Sequence, residues 1–269
     1  MPKQLTHYKT ICISDCHLGT KGAQAELLNN FLKNHTCDNL FLLGDIIDGW
    51  KIQQNKWRWK QSHSNVVRRV LGMGKHGTHV VYVTGNHDEF LRPFVINHFD
   101  MGNIRIVNQY EYRSIDGDLY LLTHGDMFDG ITRAAKWISF LGDKAYDVVL
   151  WINTHFNWWR HKMGFGYWSL SKYLKHKVKK AIDFVFEFEV TLTDYARKRG
   201  YDGVICGHIH TPEIKQINGM TYMNDGDWVE SCSALVEHLD GRWEIIYWTE
   251  IKNDSTDTKQ TGKKRIRNK

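Results

Sequence analysis

Five short islands of metal-binding side chains, spread between Asp15 and His210, stand at the ends of β-type runs. They are Asp15-Cys16-His17, Gly44-Asp45 with Asp48, Gly85-Asn86-His87-Asp88, His124-Gly125-Asp126 and Gly207-His208-Ile209-His210. Strand ends that converge at one edge of a sheet are where a rigid scaffold assembles a metal site. The pattern therefore demands a fold that gathers five distant strand ends in one place. Each island alone has an ordinary reading, as a loop histidine or a turn. Five together do not.

The rest of the chain is compatible with such a fold. At 269 residues it can bury a large core, as one domain with a sizeable insertion. Thr10–Ser14, Leu40–Leu43, Val80–Thr84 and Leu119–Thr123 read as strands, and Ala23–Leu32 and Asn65–Leu71 carry apolar residues at helical spacing. Gly203–Cys206, Met220–Met223, Ala234–Leu239 and Trp243–Trp248 resume as strands, the last two joined by an Asp240-Gly241 turn. The break in strand pattern between them marks a helical insertion at about 128–200 within a domain spanning 1–250. The tail 251–269 holds seven Lys or Arg against two Asp and reads as a disordered basic segment.

Composition narrows the setting. The five cysteines are odd in number and show no CxxC, so buried reduced thiols are expected instead of a disulfide framework. MPKQLTHYKT has no apolar run resembling a signal peptide, and no stretch of eighteen apolar residues occurs. A cytoplasmic protein is expected.

The chemistry follows from the residue types. Asp15 and His17, on alternate residues of an extended segment, project to one face, as do His208 and His210. Asp45 can bridge two cations through its two oxygens, Asn86 offers a neutral carbonyl, and His124 adds an imidazole. Mixed nitrogen and oxygen donors without thiolate suit Mn²⁺, Fe²⁺ or Zn²⁺. Two such ions lower the pKa of a shared water and neutralise charge growing on a phosphoryl group. His87 is expected to act without binding metal, as a proton donor to the leaving group or a stabiliser of the phosphorane oxygens, with Asp88 fixing its tautomer. Gly44, Gly85, Gly125 and Gly207 are expected to permit tight turns. Trp50, Trp57 and Trp59 can stack on a ring of the substrate or serve as packing. Asn224-Asp225-Gly226-Asp227-Trp228 reads either as a turn or as a source of supporting acids.

The order DxH, GDxxD, GNHD, HGD, GHxH resembles the calcineurin-like metallophosphoesterases from about Lys9 to Trp248. GDIIDGW, GNHDEFLR, HGDMFD, GYWSLSKYLK, CGHIHTPEI and NDGDWVESCSALVE are similar to the branch that contains UDP-2,3-diacylglucosamine diphosphatases of lipid A biosynthesis. The resemblance implies an α+β fold, a four-layer α/β/β/α sandwich with a helical cap. It implies one metal held by Asp15, His17, Asp45 and His210, and a second by Asp45, Asn86, His124 and His208, commonly manganese. It also implies substrate contacts from Asp126, Asp129, Trp168, Ser169, Ser171, Lys172 and Lys175. The activity implied is pyrophosphate hydrolysis of a nucleotide-sugar lipid to UMP and a lipid sugar phosphate. A general phosphodiesterase or nucleotide phosphatase is the alternative, because the best-known lipid A enzymes carry arginine where this chain has His87. A membrane- or nucleic-acid-binding scaffold is a third, disfavoured because no ligand position is missing.

The insertion holds five of the eleven tryptophans, and His155–Lys180 carries seven Lys or Arg and no acid. Leu170, Tyr173, Leu174, Val178, Ala181, Ile182, Val185 and Leu192 recur at helical spacing opposite Lys172, Lys175, Lys179 and Lys180. Such a helix suits peripheral contact with an anionic membrane at the inner face of the cell membrane, or a lid over acyl chains. An ordinary packing helix with a solvated lysine face has the same composition. Nucleic acid is the lesser partner, since no known nucleic-acid motif is present.

Overall fold

In a computed structural model the described residues are 5–96, 100–101, 103–128 and 185–249. They form two sheets. The first has seven strands in the order β12-β11-β1-β2-β3-β5-β4, and the second has five in the order β6-β7-β8-β10-β9. In the first sheet β1 (Thr6–Ile13), β2 (His35–Leu43), β3 (His79–Val83) and β5 (Ile104–Val107) run parallel, with short β4 (Asp100–Met101) antiparallel at one edge. At its other side lie antiparallel β11 (Ser233–Glu237) and β12 (Trp243–Tyr247). The second sheet has β7 (Leu119–Thr123), β8 (Gly203–Cys206) and β10 (Met220–Asn224) in parallel, edged by antiparallel β6 (Gln109–Arg113) and β9 (Glu213–Ile217).

The alternation of side chains along a strand separates two cores. Phe41, Leu43, Val81, Val83, Cys12 and Leu235 of the first sheet face Tyr112, Tyr120, Leu122, Ile205 and Met223 of the second. On the opposite face of the first sheet, Ile11, Ile13, Leu40, Leu42 and Val80 pack against two helices. Helix α1 (Ala25–Asn34) buries Ala25, Leu28, Phe31 and Leu32, and α3 (Gln61–Lys75) buries His63, Val66 and Val70, one stripe each at helical spacing. Between them in sequence lies the short α2 (Gly49–Gln53), and α4 (Arg92–Ile96) follows β3. The fold is an α+β sandwich of two packed sheets with helices on the outer face of the first.

Two compact units divide the chain, 1–126 with 193–269 and 127–192. Residues 185–197 are helical. Most of the expected helical insertion, and the basic tail 251–269, lie outside the described residues. Among those described, no helix is long and apolar enough to cross a membrane, and all five cysteines are buried thiols outside any disulfide.

The fold gathers the islands by register. Ile13 stands opposite Leu42, and Leu43 opposite Val83, so β1, β2 and β3 end at one level. Every residue after those ends emerges at the same sheet edge. Phe41, fully buried between the sheets, tests the inter-sheet core. Phe41→Ala should cost about 3–5 kcal/mol, read as a lower urea midpoint at unchanged slope; a midpoint within error of wild type would contradict this packing.

Candidate metal centre

Two aspartates organise the site, and each is anchored through one oxygen while presenting the other. Asp15 is fully buried, and its Oδ2 accepts hydrogen bonds from the His208 backbone N–H (2.8 Å) and the Ser14 hydroxyl (2.7 Å). Its Oδ1 lies 3.0 Å from His210 Nε2 and 3.7 Å from His17 Nε2. Asp45 Oδ1 accepts the His87 backbone N–H at 2.7 Å. Its Oδ2 faces His124 Nε2 at 3.4 Å, His87 Nε2 at 3.8 Å and His17 Nε2 at 3.9 Å. Ligand atoms within three trios, Asp15-His17-His210, His17-Asp48-His87 and Asp15-Asp45-His124, all lie within 4.8 Å of one another.

The backbone that delivers these groups is left-handed. Asp15, His17, Asp45, His208 and His210 all have positive φ, between 44° and 71°. Non-glycine residues rarely adopt this region, and when they do it costs free energy that the surroundings must offset. Asp15 and His17 therefore meet through a folded loop, not through alternation along an extended strand. The loop is fixed by Asp15 N–H to Gly44 O (3.0 Å) and His17 N–H to Asp45 O (2.9 Å).

Two of the island glycines serve close approach, not turning. Neither Gly85 nor Gly207 has positive φ. A Cβ on Gly85 would stand 2.3 Å from Asp45 Oδ1, and one on Gly207 would stand 2.2 Å from Ser14 Oγ. Gly44 (φ 86°) and Gly125 (φ 115°) do take the turning conformation expected of them.

Imidazoles and carboxylates hold each other charged. Burial opposes it, yet His210 and His17 keep the Asp15 carboxyl well below its ordinary value. Asp45 is likewise lowered against burial, chiefly by His124. His17, despite burial, is pulled up to about 10 by Asp15, Asp48 and Asp45, and His124 and His210 are also raised. His124 Nδ1 lies 2.8 Å from Leu43 O, where its N–H donates, so Nε2 is left to face the site. His208 Nδ1 lies 3.3 Å from His124 Nε2.

His87 departs from expectation in its partner. Asp88 turns away: it is fully buried, accepts the Tyr82 hydroxyl at 2.7 Å, and is pushed to about 8 by burial and by Asp45. The carboxylate beside His87 is Asp48, with Oδ2 3.1 Å from His87 Nδ1 and 3.5 Å from His17 Nδ1. Asp48 was visible only as the last residue of GDxxD. Asp88 looked nearer because it follows His87 in sequence, but successive side chains on a turn diverge. Trp50 stacks on the His87 ring at 4.0 Å between centroids. Trp57 lies over Gly19, where a Cβ would meet its Nε1 at 1.8 Å.

Of the residues implied for substrate contact, Asp126 is described and is tied to Arg92. Asp129, Trp168, Ser169, Ser171, Lys172 and Lys175 lie outside the described residues.

The donors fit divalent cations. Asn86 is buried with both Oδ1 and Nδ2 unpartnered among the described residues, and Asp15 Oδ1 points among the imidazoles of His210 and His17. A buried polar atom without a partner is costly, and a cation at the Asn86 oxygen would give it one.

The family model for calcineurin-like phosphoesterases matches residues 8–212. The UDP-2,3-diacylglucosamine hydrolase of Neisseria meningitidis serogroup B is 24% identical over 233 residues, 85% of this chain and 93% of that protein. Among solved structures, a dimetal phosphatase from Danio rerio is 15% identical with a TM-score of 0.44, covering 90% of this chain and 99% of its own. The E. coli phosphoesterase Yfce is 14% identical with a TM-score of 0.43, covering 88% and 98%.

The charge pattern has a stability consequence in chelated protein. Asp15, Asp45 and Asp48 lie below their ordinary 3.8, so their contribution is present above that pH and lost as pH falls. His17 is raised from 6.5 to about 10, so its contribution is complete below 6.5 and lost as pH rises to about 10. Asp88, raised from 3.8 to about 8, adds a loss of stability that runs from pH 3.8 up to about 8. The melting temperature in chelator should therefore fall from pH 6.5 toward 10. A rise over that window would refute the charge assignment.

Proposed function

The chain belongs to the calcineurin-like phosphoesterase family, and from that premise we propose a two-metal hydrolase of a phosphate anhydride, acting on UDP-2,3-diacylglucosamine. One observation carries the two-metal part: Asp45 Oδ2 faces the imidazoles of both proposed ligand sets, within 3.4 Å of His124 and 3.9 Å of His17. Asp15, His17, Asp45 and His210 would hold one ion, and Asp45, Asn86, His124 and His208 the other. Manganese is the proposed metal, with iron or zinc compatible with the same donors. When bound, such ions supply Lewis-acid polarisation of the phosphoryl oxygens and an activated water.

The chain's own residues do the rest. His87 stands beside Asp45 with Asp48 at its Nδ1 and Trp50 against its ring. The Asp48 carboxylate orients the ring from its Nδ1 edge, while the indole fixes the ring plane. Nε2–H then donates to the leaving phosphate oxygen as the bond to phosphorus breaks. The products are UMP and a lipid sugar phosphate. Similarity to UDP-2,3-diacylglucosamine hydrolases over most of both chains supports the substrate, as does the basic, tryptophan-rich stretch that would meet a lipid. The protein would work in the cytoplasm, with peripheral contact to an anionic membrane through that stretch.

His87 favours a second reading. Where the lipid A enzymes carry arginine, a histidine suits a phosphodiesterase or phosphatase of broader range. Manganese-loaded protein offered UDP-2,3-diacylglucosamine, its deacylated analogue, bis-p-nitrophenyl phosphate and p-nitrophenyl phosphate should strongly prefer the acylated nucleotide. Equal turnover of the small diester would replace the lipid reading with the broader one. Asp45→Ala should lose both activity and bound metal, measured by elemental analysis; retention of both would refute the metal centre. His87→Ala should keep its metals and lose about 10²–10⁴-fold in turnover, and metal loss there would overturn its non-ligand role.

A further inference from the structure

Ser14 and Asp225 lie behind Asp15 and take no part in the chemistry above. Ser14 is 1% exposed and Asp225 is fully buried. The Ser14 Oγ stands 2.6 Å from Asp225 Oδ1, 2.7 Å from Asp15 Oδ2 and 3.2 Å from Gly226 O. A serine hydroxyl has one hydrogen to give. It cannot donate to two carboxylates at once, so one of the two acids must bring its own hydrogen. Asp15 is the one held ionised: it accepts the His208 N–H and faces the imidazoles of His210 and His17. Asp225 forms no ion pair among the described residues, where His124 acts on it only from a distance, and its Oδ2 has no hydrogen-bond partner there.

We propose that Asp225 is a positioning residue for the metal centre, a protonated acid that donates to Ser14 so that Ser14 donates to Asp15 Oδ2. This chain of two hydrogen bonds turns Asp15 Oδ1 outward, toward the ions. Burial pushes the Asp225 carboxyl well above its ordinary range, as does the Asp15 charge, in keeping with the hydrogen count. The surrounding loop holds the chain in place. Asp225 N–H donates to Cys206 O (3.1 Å), Asn224 Nδ2 donates to Gly207 O (2.7 Å), and Trp228 N–H donates to Asp15 O (3.2 Å). The Asn224–Trp228 segment is thus a turn and a support at the same time.

The inference rests on Asp15 being a metal ligand, and the test separates the two. Mn²⁺ affinity of full-length protein, stripped and reloaded, would be measured by calorimetry for Ser14→Ala, Asp225→Ala, Asp225→Asn and Asp15→Ala. Ser14→Ala and Asp225→Ala should weaken Mn²⁺ about 10–100-fold. Asp225→Asn should stay within about 3-fold, because its amide N–H replaces the acid O–H at the same oxygen of Ser14. The infrared spectrum of wild type should contain a protonated-carboxyl C=O band that Asp225→Asn lacks. Wild-type affinity in Ser14→Ala, or absence of that band, overturns the proposal. Retention of Mn²⁺ by Asp15→Ala would instead sink the metal reading itself. Should Asp225→Ala not fold, Ser14→Ala and the infrared band still decide the matter.

Discussion

The structure depends on a concentration of carboxylates taken out of water. Asp15, Asp45, Asp48, Asp88, Asp225 and Asp227 are each no more than 2% exposed. Burying one unpaired carboxylate is expensive, and burying several together adds mutual repulsion. No lysine or arginine forms an ion pair with any of them among the described residues; the compensation comes from imidazoles and backbone N–H groups. These imidazoles carry charge at neutral pH because the carboxylates raise them above their ordinary range, so each group depends on the other. Two of the six escape the problem by a different route, with Asp88 and Asp225 both pushed toward the neutral acid.

Left-handed backbone is the second cost accepted at this edge. Five candidate ligands share it, and three are pinned through their backbone N–H: Asp15 and His17 by carbonyls of the next strand's loop, His208 by the Asp15 carboxylate. Strain of this kind survives only where several contacts over-determine the geometry. The same contacts join loops that are far apart in sequence.

Much of this was legible in the sequence because apolar runs report strands directly. Leu119–Thr123 and Gly203–Cys206 coincide with β7 and β8, and the ends of β2 and β3 fall within one residue of expectation. The beginnings were less visible. β2 starts at His35, where polar residues obscure the run, and edge strand β9, Glu213–Ile217, alternates charge with apolar residues too briefly to stand out. The islands were readable because their residue types are rare together. What could not be read was direction: that Asp88 would point to Tyr82, that Asp48 would reach both His17 and His87, and that Gly85 and Gly207 would matter for missing atoms. Those facts are set by loop conformation, which local sequence patterns do not encode.

The split of the candidate ligands between the sheets has a mechanical meaning. Asp15, His17, Asp45 and Asn86 follow strands of the first sheet, whereas His124, His208 and His210 follow strands of the second. Elsewhere the sheets meet through apolar side chains such as Phe41 and Tyr120, and through Tyr112, whose hydroxyl meets Thr10 and Glu237 of the other sheet. Ions coordinated from both sides would act as rivets at one end of that seam, fixing the alignment of the layers. Occupancy of the site and the lateral register of the sandwich would then be one property, seen from two ends.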